Sequence, residues 1–129
     1  MIEIKHGQIA KNFINNISEF SSNIFVNQWI QEINDVFCII NSKNGELICI
    51  ALFHKLDYDP LHTQIKPLLL DYIYTFEPYR CRGYARSMLN KIIKKNTITA
   101  FCNNDSSISL FKKCGCSVIN GMARFPPVE

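Results

Sequence analysis

Apolar residues recur at helical spacing early in the chain. Ile9, Phe13, Ile14, Ile17 and Phe20 fall on one side, with Lys11, Asn12, Asn15 and Asn16 on the other. The pattern predicts an amphipathic helix preceded by a short alternating strand at Ile2, Glu3 and Ile4. Ser21 and Ser22 are suited to cap a second helix, whose apolar side is Phe25, Trp29, Ile30 and Ile33. The period then changes. Residues 36–40 and 46–54 read as strands, and Ser42-Lys43-Asn44-Gly45 between them carries an Asn-Gly turn signal, so the two are expected to form an antiparallel hairpin. Residues 56–67 hold Asp57, Asp59, Pro60 and Pro67 and read as a loop. Residues 68–76 are rich in large apolar and aromatic side chains, as a central strand requires.

The second half continues the alternation of strand and helix. From Tyr84, the residues Ala85, Met88, Leu89, Ile92 and Ile93 make one helix face, while Arg86, Asn90, Lys91 and Lys94 make the other, and Asn96 ends it. Residues 97–102 form a strand pattern. Asp105 or Ser106 then caps a short helix through Lys113, with Ile108, Leu110 and Phe111 apolar and Gly115 placed to terminate it. Residues 116–125 fit two short strands around Asn120-Gly121. No internal repeat or linker-like stretch interrupts the chain, so residues 1–129 are expected to be one domain. The order β-α-α-β-β-β-α-β-α-β-β predicts an α/β protein, a mixed sheet with helices on both faces.

Composition narrows the functional classes. The chain is 47% hydrophobic and 19% charged, which suits a folded globular domain. Its longest uncharged apolar run, residues 47–53, is far below the roughly 20 residues that span a bilayer. The start lacks the pattern of a signal peptide, so a cytoplasmic or nuclear location and no membrane partner are expected. Net charge is only +3. Arg80, Arg82, Arg86, Lys91, Lys94, Lys95, Lys112 and Lys113 do cluster, but lysines there suit helix ends and solvated faces, and a nucleic-acid partner is not expected. Cys38, Cys49 and Cys102 lie in strand-like runs, where Cys acts as a small hydrophobe. Cys114-Gly115-Cys116 has no second pair or His at zinc-site spacing, so no metal site is expected.

The chemistry concentrates at the junction Phe76-Glu77-Pro78-Tyr79-Arg80-Cys81-Arg82-Gly83-Tyr84-Ala85, where a strand gives way to a helix. A helix N-terminus carries unpaired N–H groups and partial positive charge, and so receives phosphate. Gly83 lets the phosphate approach the backbone, Ala85 keeps that approach open, and Arg80, Arg82 and Arg86 add charge-assisted donors. A pyrophosphate is the natural guest; a plain helix start is the bland alternative.

Arg80-Cys81-Arg82-Gly83-Tyr84-Ala85, between a strand and a long helix, resembles motif A of the GNAT superfamily of N-acetyltransferases, Arg/Gln-x-x-Gly-x-Gly/Ala. The stretch Asn104-Asp105-Ser106-Ser107-Ile108-Ser109-Leu110-Phe111-Lys112-Lys113-Cys114-Gly115-Cys116 resembles motif B, with one helix and one strand between the motifs. The likeness covers residues 68–116 well and the first half through element order. It implies the GNAT fold with a splayed central sheet and acetyl-CoA as cofactor. The strand at 68–76 would part from that at 97–102. Backbone groups near Tyr74, Thr75 and Phe76 would meet the pantetheine amides. The amides of Cys81, Arg82, Gly83, Tyr84 and Ala85 would hold the pyrophosphate, and Asn103 or Asn104 would meet the pantetheine arm; for these two a turn or cap role is the alternative. Heavy use of Ile, Asn and Lys is what AT-rich coding DNA produces, and large cytoplasmic DNA viruses are one such source.

Within the superfamily the motifs look most like the histone-acetyltransferase branch, which uses a strand carboxylate as base. Leu69 stands at the position expected for that carboxylate, so Asp71, two residues on, is the first candidate and Glu77 the second. Asp71 has a second reading, pairing with a Lys or capping a turn, and Glu77 has one as an exposed loop carboxylate. Phe111 occupies the place where many relatives carry a Tyr that protonates the departing thiolate, and Phe has no proton to give. His54 and His62 are titratable groups near the substrate side with no assigned role. Asp57, Asp59, Asp71 and Glu77 would place acid around a rim that draws a cationic amine. Two functions follow. One is acetyl transfer from acetyl-CoA to a primary amine, a protein lysine in the first instance. The other is a catalytically weak module that binds a protein partner, which Phe111, the short C-terminus and the empty base position at Leu69 favour.

Overall fold

The computed structural model describes residues 1–56, 67–101, 105–119 and 122–125. The elements follow as β1 (Ile2–His6), α1 (Gly7–Asn15), α2 (Ile24–Ile30), β2 (Val36–Lys43), β3 (Glu46–Lys55), β4 (Leu68–Thr75), α3 (Tyr84–Ile93), β5 (Ile98–Phe101), α4 (Asp105–Lys113), β6 (Ser117–Ile119) and β7 (Met122–Phe125). This is the element order that the hydrophobic pattern predicts. The strands make one seven-stranded mixed sheet in the order β1-β2-β3-β4-β5-β7-β6. All neighbours are antiparallel except β4 and β5.

The near-continuous apolar runs of β2 and β3 bury both faces of the sheet. On one face Val36, Cys38, Ile40, Ile50 and Leu52 pack against Ala10 and Ile14 of α1 and Val26 and Trp29 of α2. On the other, Phe37, Ile39, Ala51, Phe53 and Leu70 pack against Met88 and Leu89 of α3 and Phe111 of α4. The hairpin turn is the one the Asn-Gly pair predicts: Asn44 and Gly45 take φ of 52° and 79°, the left-handed values a two-residue turn needs. Burial pushes the Cys38 thiol up to about 12, so it stays protonated as packing material.

The first helices depart from the pattern in detail. The expected helix through Phe20 ends at Asn15, and a separate 3-10 turn, Ser18–Phe20, brings Phe20 into the core. The cap of α2 is Asn23 rather than Ser21 or Ser22. Ser21 already has helical backbone angles, whereas Asn23 is extended and its carboxamide oxygen accepts from the amides of Phe25 (2.9 Å) and Val26 (3.1 Å). Ile33 lies beyond the helix and is 96% exposed, so it is not part of its apolar face. The expected loop at 56–67 and the Asn120-Gly121 turn fall largely outside the described residues.

Candidate functional site

The two edges of β4 differ. Toward β3 it is paired from Cys49↔Thr75 to Lys55↔Leu68, with one register shift. Toward β5, among the described residues, it pairs at Leu68↔Ile98, Leu69↔Thr99 and Leu70↔Ala100, and Asp71 and Phe101 beyond them are not paired with each other. At that point the β3–β4 register slips: Phe53 faces Leu70 while Leu52 faces Tyr72, leaving Asp71 as the extra residue of a β-bulge. A bulge bends its strand, and here the bend falls where β4 leaves β5. Of the splay expected between residues 68–76 and 97–102, the described residues hold its start at Asp71 and Phe101; residues 102–104 lie outside them. Trp29 steadies the same point from below, its indole N–H donating to the Phe53 carbonyl at 2.8 Å.

The bulge also decides where Asp71 points. Its carboxylate lies 2.7 Å from Nδ1 of His54, the residue that pairs with Val36 and Leu69 on the face covered by α1 and α2. Asp71 thus shares a face with Leu69 even though a bulge intervenes. Glu32, just past α2, places a carboxylate oxygen 3.8 Å from His54 Nε2, while its other oxygen accepts from the amides of Ile33 and Asn34, both at 3.1 Å. His54 is nearly buried, and burial alone would lower its pKa. The hydrogen bond and charge of Asp71, with Glu32 adding, outweigh this and hold the imidazole above its ordinary value. Burial pushes Asp71 up, partly offset by the bond and charge of His54. Sequence reasoning gave His54 no role and offered a Lys as Asp71's alternative partner. The missing signal was the β3–β4 register, which sets His54 beside Asp71.

On the opposite face the parted strands open into a cleft of about 910 Å³. Ile73, Tyr74 and Thr75 of β4 form one wall, and Ser109, Leu110 and Lys113 of α4 another. The floor is the start of α3 with Gly83, Tyr84, Ala85 and Arg86. Gly83 is the N-cap of α3 at φ 81°, ψ 10°, with no capping side chain, so the first-turn amides lack the usual side-chain acceptor. A Cβ built on Gly83 meets nothing within 4 Å, so the left-handed backbone, and not crowding, demands glycine here. Cys81, two residues earlier, is also left-handed at φ 62°. Left-handed backbone is uncommon for a residue with a Cβ, so the loop before α3 is held in an unusual conformation at Cys81 as well as at Gly83.

Arg80 does not reach out toward a guest. Its Nε donates to the Thr75 carbonyl (2.9 Å), another guanidinium nitrogen donates to the Tyr74 hydroxyl (3.1 Å), and its charge lies 5.3 Å from the Tyr74 ring centre. It ties the loop to the end of β4 while lining the cleft together with the cations Arg86 and Lys113. Arg82 is exposed beside the loop and outside the lining.

The other expected site residues are placed as follows. Phe76 sits past the end of β4, packs toward Phe20, and its amide already donates to the Ile48 carbonyl at 2.9 Å. Glu77 opens an exposed 3-10 turn, Glu77–Tyr79, away from Asp71. Phe111 is 3% exposed and packs into the core on the α3 side, so Leu110 rather than Phe111 faces the cleft. Asn103 and Asn104, like Asp57, Asp59 and His62, lie outside the described residues.

A mixed sheet that splays beside a bulge, with a glycine-started helix at the mouth of the gap, defines a nucleotide-cofactor transferase architecture. The chain belongs to the acetyltransferase (GNAT) family, whose model matches residues 10–116. No curated protein sequence matches the chain. Among solved structures, AtaT in its complex with AtaR and DNA is similar at TM-score 0.67 and 12% identity, covering 98% of this chain and 93% of that one. A Bacillus subtilis acetyltransferase in complex with CoA is similar at TM-score 0.62 and 16% identity, covering 96% of each chain. Arabidopsis thaliana NAA60 in complex with acetyl-CoA is similar at TM-score 0.58 and 14% identity, covering 97% and 98%. At these identities the likeness establishes the fold.

Proposed function

We propose that the chain is an acetyl-CoA-dependent N-acetyltransferase whose acceptor is a primary amine, with a protein lysine as the first candidate. The observation that carries this reading is the coincidence, at Leu70 and Asp71, of three features: the last β4–β5 pair, the bulge, and a desolvated carboxylate. The residues present suit the cofactor. The first-turn amides of α3 behind Gly83 and the cations Arg86 and Lys113 suit its phosphates, and the open edge of β4 suits an amide-bearing arm. When bound, acetyl-CoA supplies the activated acetyl group as a thioester.

The chain's own residues then supply positioning and the proton. The cofactor cleft opens on the α3 side of the sheet, and Asp71 with His54 lies on the α1–α2 side, so donor and acceptor would approach the gap from opposite faces. An ammonium is not a nucleophile until it loses a proton, and a carboxylate raised by burial is the better base for taking it. Asp71 would take that proton; the neutral amine would then bond to the acetyl carbon as the C–S bond breaks, its second N–H proton passing to the departing thiolate. His54 is a positioning residue, fixing the Asp71 carboxylate and sharing its proton. Glu77, exposed beyond the strand, is the weaker candidate for base.

A second reading, a catalytically weak module that binds a protein, is favoured by one observation. Phe111 is packed in the core, and no phenol stands at its position to protonate the thiolate. A direct test separates the two. Acetyl-CoA is titrated calorimetrically, and thiol release is then followed with lysine-bearing peptides. Saturable binding with turnover that Asp71→Asn removes supports the enzyme; saturable binding with no turnover on any amine supports the binding module; no binding of acetyl-CoA overturns both uses of the cleft.

A further inference from the structure

Away from the acetyl-CoA cleft, the α3 side of the sheet is left partly uncovered. α3 rests on β3 and β4, and the edge strand β1 lies beyond it. Between them lies a groove of about 350 Å³ whose apolar floor is Ile2, Ile4, Phe37, Ile39, Met88 and Ile92. Ile2 and Ile4 are 40% and 53% exposed, a strand face dressed for burial and left in solvent. The lengthwise wall is itself a helix, α3, suited to side-by-side packing.

The rim carries a charge pattern. Lys91 stands on the last turn of α3, Lys95 in the turn just past its end, and Lys55 at the end of β3. Among the described residues none of the three pairs with a carboxylate. A guest on this floor would therefore set its flank against three unmatched cations. The chain's own helices do not meet that requirement: α1, α2 and α3 contain no acidic residue, and α4 has only Asp105 at its start. A second copy of the chain offers the groove no complementary helix.

We propose that this groove docks an amphipathic α-helix of a different protein, with apolar anchors at i, i+3 or i+4, and i+7 on the floor and acidic residues one turn apart facing Lys91 and Lys95. The site is separate from the acetyl-CoA cleft and would hold a partner or a protein substrate while the cofactor is bound.

The probe is a designed helical peptide of about 15 residues, with Leu at the anchor positions and Glu one turn apart on one flank. A second peptide carries Lys in place of those Glu residues. Binding to the full chain is followed by fluorescence anisotropy, with acetyl-CoA titration of each variant as the control for folding. Saturable binding of the acidic peptide, weakened about tenfold or more by Lys91→Glu with Lys95→Glu, is expected, and the same double variant should gain affinity for the basic peptide. Ile4→Asp should weaken both peptides. Equal affinity of wild type and double variant for the acidic peptide overturns the proposal. So does an absence of binding, binding only to phosphatidylserine vesicles, or a concentration-dependent dimer that buries the groove.

Discussion

The two edges of β4 are built from one strand and do opposite work. Its β3 edge is paired from Leu68 to Thr75 around one bulge and sealed on both faces, while its β5 edge is paired, among the described residues, at Leu68, Leu69 and Leu70. What differs is the bulge at Asp71, which keeps the β3 ladder intact by absorbing a residue and turns the strand away from β5. Stability is thus concentrated on one edge, and unpaired backbone, a cleft and a titratable pair are gathered at the other. The sharpest test of that division is Asp71→Asn. It keeps the shape and a hydrogen bond to His54 but removes the base. Turnover is expected to fall by about 10²- to 10⁴-fold with acetyl-CoA affinity unchanged, measured by thiol release and calorimetry. Glu77→Gln, at an exposed turn, should leave turnover near that of the wild type. A reversed result would move the base to Glu77.

The paired edge should answer to a different assay. Leu52 is fully buried opposite Tyr72, next to the bulge but on the core side. Leu52→Ala leaves a cavity among Trp29, Ile14 and their neighbours and should cost about 2–5 kcal/mol in chemical denaturation. The protein that remains folded should bind acetyl-CoA as before. If instead affinity collapsed while stability held, the separation of labour between the edges would be wrong.

That separation also marks what the sequence discloses. Local chemistry was legible: Asn44-Gly45 announces its turn, the apolar runs of β2 and β3 announce strands buried on both faces, and Gly83 after a strand announces an anion-binding helix start. Long-range register was not. Nothing in the run Leu68-Leu69-Leu70-Asp71-Tyr72 says that one residue is extra, so neither the His54–Asp71 contact nor its face could be read beforehand. The roles of Arg80 and Phe111 also depend on packing. Arg80 has a nearer acceptor in the Thr75 carbonyl than any guest, and Phe111 points into the core while Leu110 takes the cleft. The cap of α2 is Asn23, whose backbone is extended, and not Ser21, whose angles are helical.

The mouth of the open edge has a built-in control. Gly83 and Gly45 take nearly the same left-handed angle, φ 81° and 79°, and neither has an atom within 4 Å of a built Cβ. Valine at either position should therefore cost a similar amount, about 1–3 kcal/mol of stability from backbone strain. Only Gly83→Val disturbs the first-turn amides of α3, and it should weaken acetyl-CoA binding about tenfold or more. Gly45→Val, in the hairpin turn, should leave the affinity alone. Equal loss of affinity in both would mean that the cofactor senses general destabilisation and not this loop.

The smallest expected effect lies in pH, where the bulge couples the two edges. Burial lowers the His54 pKa, but Asp71 and Glu32 raise it more, so the folded imidazole binds its proton more tightly than the unfolded one, whose ordinary value is 6.5. The stabilisation is then fully present below that value and is lost as pH rises through the raised folded pKa. Denaturation of wild type and His54→Asn across this range should show the wild-type advantage shrinking with rising pH. Activity should move the other way. Asp71 accepts a proton from the amine only after the one shared with His54 has gone, so turnover should climb over the same interval in which the pair ceases to stabilise the fold. Turnover that falls across that interval, in parallel with stability, would show the pair to be a structural clasp and place the base elsewhere along the open edge.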